Sequence, residues 1–219
     1  NKKLIKNILY FLLELDIKTN FEEYFGILHK PIFIRFRFLD DNLKQKYFGE
    51  ELDDISMKIE NFEELDFEDI PNVSYDSYQF LRLRKIFMVE NEINYLTFPQ
   101  IKNSIIIWGA GFKVNILKNT EFLKNKEIFY WGDIDSHGFK ILGNLRKYFP
   151  QTKSIFMNQK LFIKFQDYIV KGEKISESEI EKLKENLNKE EFELLKYVNL
   201  NNFRLEQENI NQNYILENL

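Results

Sequence analysis

A chain of 219 residues that is 44% hydrophobic can bury a sizeable core, yet it contains no cysteine and only two histidines, His29 and His137. Disulfides, iron–sulfur clusters, thiolate zinc sites, thiol nucleophiles and multi-histidine metal sites are thereby excluded, so any divalent ion must rest on oxygen ligands. The formal net charge of −4 leaves no overall basic footprint for a nucleic-acid partner, although a basic surface confined to one patch would not show in that total.

Aromatics make up 16% of the chain, with 22 Phe against eight Gly and four Pro, a composition of folded cores rather than long low-complexity linkers. No apolar run approaches the roughly 18 residues of a membrane span, and no signal-peptide pattern opens the chain. It is therefore read as cytoplasmic, with no membrane partner. Asn1 stands directly inside an apolar-periodic segment, which predicts a longer protein of which this is a part.

Residues 2–17, KKLIKNILYFLLELDI, place Leu4, Ile5, Ile8, Leu9, Leu12, Leu13 and Leu15 at helical spacing, predicting an amphipathic helix that packs. PIFIRFRFL (31–39) alternates apolar residues with Arg35 and Arg37, the period of a half-exposed strand, and Asp40, Asp41 and Asn42 predict a closing turn. The acidic stretch 51–71 reads as a solvated surface. From residue 83 short apolar runs alternate with helical ones. KIFMVEN (85–91), SIIIWGAG (104–111), EIFYWGDID (127–135) and KSIFM (153–157) read as strands. EINYLTF (92–98), FKVNILKNTEFL (112–123) and HGFKILGNLRKYF (137–149) read as the helices between and after them. Such alternation predicts an α/β fold, a Rossmann-like parallel sheet covered by flanking helices. SESEIEKLKENLNKEEFELLKYV (176–198) reads as helix, and the tail from Asn202 as one more helix docking on the body. The expected organisation is a partial N-terminal α/β segment over 1–80 leading into a main domain over 81–219 with C-terminal helices.

In an open parallel sheet, ligands gather beyond the carboxyl ends of the strands. Three of the predicted strands end in chemistry: Glu90 after IFMV, Gly109 and Gly111 after IIIW, and Asp133 with Asp135 after IFYWG. Aspartates two apart share a side of an extended backbone, and a glutamate from a neighbouring strand completes an acidic pocket. Such carboxylates repel one another, and a hard divalent cation removes that cost. Mg²⁺ suits one to three carboxylates with water and a substrate phosphate, which points to metal-assisted phosphoryl chemistry. Beside the pocket, His137 either positions a phosphate or water, caps the following helix, or bonds Asp135. Gly138 is read as relieving crowding where that helix meets the sheet. Lys113 is either a phosphate ligand or a solvated lysine. Arg204 and Glu208, four apart on the expected tail helix, read as a surface ion pair, and Trp108 and Trp131 as core.

Taken together, MVENEINYLTFP, IIIWGAGF, YWGDIDSHGFKILGNLR and the late FRLEQENI resemble the C-terminal region of JetD, the nuclease family of Wadjet anti-plasmid systems, with RFRFLD and ELDDISM resembling the stretch before it. The resemblance covers the chain from about residue 31 and, more loosely, from residue 1. It implies a Toprim-type domain related to the cleaving subunit of topoisomerase VI-like enzymes, in which Glu90 and the pair Asp133 and Asp135 hold Mg²⁺, with Mn²⁺ as an alternative ion, and Glu206 serves as a second-metal ligand. It also implies an endonuclease that cuts double-stranded plasmid DNA as a homodimer in its full-length form, recruited by an SMC/condensin-like JetABC complex. In that family a DNA-binding arm precedes this region, and an acidic residue is more usual where Asn158 stands. Two other readings remain open on the residues alone. One is a metal-free, Toprim-shaped adaptor that docks DNA or a condensin-like partner. The other is a nucleotide-phosphate site at Gly109 and Gly111, which lacks the third glycine of a dinucleotide fingerprint and the lysine context of a P-loop.

Overall fold

A computed structural model describes residues 2–14, 24–25, 31–49, 53–67, 82–109 and 114–219. The chain divides into two units, Asn1–Ile32 and Phe33–Leu219. In the smaller, helix α1 (Lys2–Leu12) follows the predicted periodicity, and positions 15–17 of the expected helix lie outside the described residues.

Alternation fixes the first strand of the larger unit. In β1 (Phe33–Phe38), Ile34, Phe36 and Phe38 are buried while Arg35 and Arg37 lie on the other face. Asp40 does not close a turn. Its carboxylate accepts from the backbone N–H of Asn42 at 3.0 Å and of Asn103 at 2.7 Å, capping helix α2 (Asp41–Phe48), which ends at Gly49 with φ of 78°. Strand β2 (Ile55–Lys58) pairs antiparallel with β1, and helix α3 (Ile59–Glu63) follows. Asp54, within the acidic stretch, accepts from Arg35 and from the Tyr95 hydroxyl at 2.7 Å, so that part of the stretch is structural rather than merely solvated. Residues 68–71 lie outside the described residues.

The sheet has six strands in the order β2-β1-β4-β3-β5-β6, where β3 is Lys85–Val89, β4 Ser104–Trp108, β5 Glu127–Trp131 and β6 Lys153–Ser154. The last four run parallel, and β1 joins β4 antiparallel, so the segment 33–58 belongs to the same sheet as the later strands. Ile86, Phe87, Met88 and Val89 on the central strand are all buried, as expected of a strand covered on both faces. The architecture is the expected mixed α/β, Rossmann-like class, consistent with a Toprim-type sheet.

Helix α4 (Glu92–Thr97) forms as predicted, with Asn91 as its cap, and α5 (Ser136–Tyr148) covers the predicted 137–149. The helix expected over 112–123 is instead two short 3₁₀ turns, Val114–Leu117 and Glu121–Asn125. Leu117 and Leu123 are both fully buried but stand six apart, which one continuous α-helix would place on different faces. The strand expected over 153–157 pairs only at Lys153–Ser154, because Phe156 turns the chain with φ of 57°. Asn158 then caps helix α6 (Gln159–Lys164), accepting from Leu161 N–H at 2.9 Å.

The helical stretch 176–198 is two helices, α7 (Glu177–Leu183) and α8 (Lys189–Asn201), each opened by a capping box, Ser176 with Glu179 and Asn188 with Glu191. Asn202, with φ of 60°, ends α8 in the left-handed conformation. The tail is then no single helix: strand β8 (Phe203–Arg204) pairs antiparallel with β7 (Val170–Lys171), a 3₁₀ turn covers Gln207–Asn209, and α9 spans Gln212–Asn218. Among the described residues, no helix is long and apolar enough to cross a membrane.

Candidate functional site

Register places the site. Val89 stands opposite Trp108 on one side and Trp131 on the other, so β3, β4 and β5 stop at one level. The next residues, Glu90, Gly109 and Gly132, emerge along one rim at the carboxyl ends of the strands, where open α/β sheets bind their ligands. Just beyond, Ile134 and Leu205 form an antiparallel pair. Their flanking residues alternate away from them, so Asp133 and Asp135 on one segment face Arg204 and Glu206 on the other.

The guanidinium of Arg204 fills the space between these carboxylates. Its Nε and Nη2 donate to Asp133 Oδ2 at 3.0 and 2.7 Å, Nε lies 3.6 Å from Asp135 Oδ2, and Nη1 lies 3.2 Å from Glu206 Oε1. Burial works against its charge, but the bonds to Asp133 and the neighbouring carboxylates hold it more basic than an ordinary arginine. The other oxygen of Asp133 accepts from the backbone N–H of Gln207 at 2.9 Å. The Gln207 side chain is fully buried. It accepts from Asn91 N–H at 2.8 Å and donates to the Trp131 carbonyl, tying the ends of β3 and β5 together.

Glu90 accepts from the hydroxyl of Tyr130, and its carboxyl is pushed up to about 7, chiefly by burial and further by the charges of Asp133 and Asp135, against the opposing pull of Tyr130 and Arg204. Burial together with the Glu90 charge pushes the Tyr130 hydroxyl well above its ordinary value, so it remains a donor. Gly132 leaves the room this contact needs: a Cβ there would lie 2.4 Å from both Glu90 Oε1 and the Tyr130 hydroxyl. Burial also raises Asp135, opposed by the bond it accepts from Gly138 N–H at 2.7 Å, with which it caps α5. Gly138 does relieve crowding, against the turn itself: a Cβ there would lie 2.1 Å from the Asp133 carbonyl oxygen.

Glu90, Asp133 and Asp135 are thus brought to one rim, and Glu206 joins them through Arg204. Glu206 is not helical; it is an extended residue ahead of the 3₁₀ turn. The pair expected between Arg204 and Glu208 does not form, because Glu208 accepts from Asn91 Nδ2 at 2.5 Å. His137 neither caps α5 nor bonds Asp135; half-exposed on the first turn, it lies 3.5 Å from Glu173 Oε2. Trp131 is fully buried core, whereas Trp108 is partly buried, stacks against Arg35 and donates to the Glu90 carbonyl at 3.0 Å. Gly109 lines a small apolar pocket with Met88, Leu117 and Leu145, while Gly111 and Lys113 lie outside the described residues. Sequence reasoning missed Tyr130 and Gln207 and assigned Arg204 a surface role. No local signal marks Arg204 or Gln207: the RLEQE run reads as helix, whereas Arg204 ends a two-residue strand and Gln207 opens a 3₁₀ turn.

The donors are all hard oxygens, the type that holds Mg²⁺ or Mn²⁺, and the Glu90 carboxyl is raised chiefly by its burial and further by the charges of Asp133 and Asp135. As arranged, among the described residues, no group of three acidic side chains is disposed to hold an ion. The donor chemistry fits a hard divalent ion, and in this arrangement the Arg204 guanidinium pairs with Asp133, Asp135 and Glu206. No curated protein matches the chain. The model of the family described as Wadjet protein JetD, C-terminal, matches residues 26–219, which include every strand of the sheet, the acidic rim and the segment carrying Arg204 and Gln207. With nearly its whole length matched, the chain belongs to the family of the Wadjet protein JetD, C-terminal region, and is a Wadjet component.

Proposed function

We propose that the acidic rim is the centre of a metal-dependent endodeoxyribonuclease that cuts double-stranded plasmid DNA within a Wadjet defence system. One observation carries the reading: Glu90 and the pair Asp133 and Asp135 emerge together at the carboxyl ends of adjacent parallel strands. These three would hold Mg²⁺ or Mn²⁺, with Glu206 beside them. A bound ion of this kind polarises a phosphodiester and stabilises charge on its leaving oxygen. The chain's own groups prepare that site. The Tyr130 hydroxyl orients one oxygen of Glu90, and the N–H groups of Gly138 and Gln207 fix Asp135 and Asp133; His137, half-exposed on the first turn of α5 beside Glu173, would position a phosphate or water. A condensin-like JetABC complex is the partner that delivers DNA, and the full-length protein acts as a homodimer.

The test is nicking and linearisation of a supercoiled plasmid by the full-length protein with its partners and ATP, in Mg²⁺ or Mn²⁺, for wild type and Asp133→Ala. Cleavage that needs the ion and is lost in the variant is the expected result; equal cleavage by both proteins would remove the chemistry from this rim. A second reading is favoured by Arg204, which neutralises the carboxylates without any metal: a metal-free, Toprim-shaped adaptor docking DNA or a condensin-like partner. It predicts no cleavage by either protein while partner binding stays intact.

A further inference from the structure

We propose that Arg204 is the resident counter-ion of the acidic rim and has to swing out before a divalent ion can enter. The inference rests on the metal reading above and adds a competitor to it. The guanidinium touches Asp133, Asp135 and Glu206 at once, with no other cationic side chain described among them. It therefore holds the position from which an ion would reach the same oxygens.

Arg35 resembles Arg204 in donating to carboxylates, those of Asp54 and Glu92, but Arg37 and Arg146 are built differently. Arg37 donates to the carbonyls of Tyr95 and Phe98 at 2.9 and 2.7 Å, and Arg146 to those of Thr152 and Asn186 at 2.9 and 3.0 Å, so withdrawing either would orphan main-chain oxygens. The described partners of Arg204 are all carboxylates. Its departure strips no backbone group of a bond, and an arriving ion would satisfy every oxygen it leaves. Exposure points the same way. The Arg204 side chain is 40% exposed, against 15% for Asp133 and 8% for Asp135, so the cation has solvent to move into while the carboxylates stay fixed. The backbone beneath it is held by the pairing of β8 with β7 and of Leu205 with Ile134, so the movement is a side-chain one. Charge supplies the drive: one monovalent guanidinium serves three carboxylates, and a compact divalent ion neutralises them better.

The experiment is a calorimetric titration of the metal-free full-length protein with Mn²⁺ alone, with thermal melts in its presence and absence, for wild type, Arg204→Lys and Arg204→Gln. Arg204→Lys keeps the charge and loses the planar fork that spans the carboxylates. If Arg204 competes for the ion's place, both variants bind Mn²⁺ more tightly than wild type, by about threefold to tenfold given a partly exposed pair. Arg204→Gln also melts lower than wild type without Mn²⁺, and saturating Mn²⁺ closes most of that gap. Arg204→Lys at wild-type affinity, with only Arg204→Gln tighter, would reduce Arg204 to a distant charge and overturn the proposal, as would equal affinity in all three. Absence of any Mn²⁺ heat in all three proteins would overturn it by way of the metal reading itself, a pattern distinct from equal but measurable binding.

Discussion

Ile134 and Leu205 exchange both of their backbone hydrogen bonds, at 2.9 and 3.2 Å, although 71 residues separate them. This single pairing brings the C-terminal segment against the strand-end turn and sets which residues look at the aspartates. Two residues later Gln207 extends the attachment by bridging Asn91 N–H and the Trp131 carbonyl from a fully buried position.

Gln207→Leu keeps much of that volume and removes both bonds. Because it strips the Asn91 N–H and the Trp131 carbonyl of a partner in a buried setting, it should cost about 2–4 kcal/mol. Urea denaturation measures the loss directly. A change below about 0.5 kcal/mol, the scale of an ordinary surface substitution, would mean that the segment is held by Leu205 alone.

Gly132→Ala and Gly138→Ala separate two kinds of close approach. At Gly132 the obstructing atoms are the ends of the Glu90 and Tyr130 side chains, which can shift, so the expected outcome is a stability loss of about 1–2 kcal/mol with Glu90 displaced and, on the proposed nuclease reading, cleavage lowered at least about tenfold. At Gly138 the obstruction is the Asp133 carbonyl itself, 2.1 Å from the added Cβ, and the turn has to move with it. Thermal melts should therefore show Gly138→Ala as the less stable of the two. The reverse order, or full cleavage by Gly132→Ala, would contradict the tight fit described at the rim.

What could be read from the chain, and what could not, divides along sequence distance. Glu90, Asp133 and Asp135 were legible because each follows a short apolar strand, and parallel strands in register bring such positions to a common edge. Helices α4 and α5 were legible from the runs 92–98 and 137–149 themselves, whereas their caps, Asn91 and Asp135, read as the ends of the preceding strands. Arg204 and Gln207 were not, because the partner of Leu205 is Ile134, and no local pattern announces a contact across 71 residues. The left-handed turn at Asn202 ends α8 as the reading of a separate tail element requires, but nothing local marks the residues after it as a strand and a 3₁₀ turn rather than one more helix. The antiparallel attachment of β1 to β4 was hidden in the same way: alternation marked residues 33–38 as a strand and said nothing of its neighbour.

Away from the rim, the pairing of Arg146 with Glu191 makes a prediction about acid. Glu191 is 4% exposed; burial would raise its carboxyl, but the two bonds from Arg146 at 2.5 and 2.9 Å, with those from Ser154 and the Asn188 N–H, outweigh burial and hold it below its ordinary value of 4.5. A carboxyl depressed in the folded state contributes stability that is fully present above its unfolded value and is lost as the pH falls through the folded one. Glu191→Gln removes the charge and leaves Arg146 without its carboxylate, which should cost about 3 kcal/mol at pH 7, the scale of breaking a buried pair. Melting curves of the two proteins should lie furthest apart at neutral pH and converge as the pH falls below 4.5 and through the depressed value of Glu191, where the wild-type carboxylate itself takes up a proton. A gap that stays constant over the whole acid range in which both proteins fold would show that the glutamate is held by shape and neutral hydrogen bonds, with its charge contributing nothing.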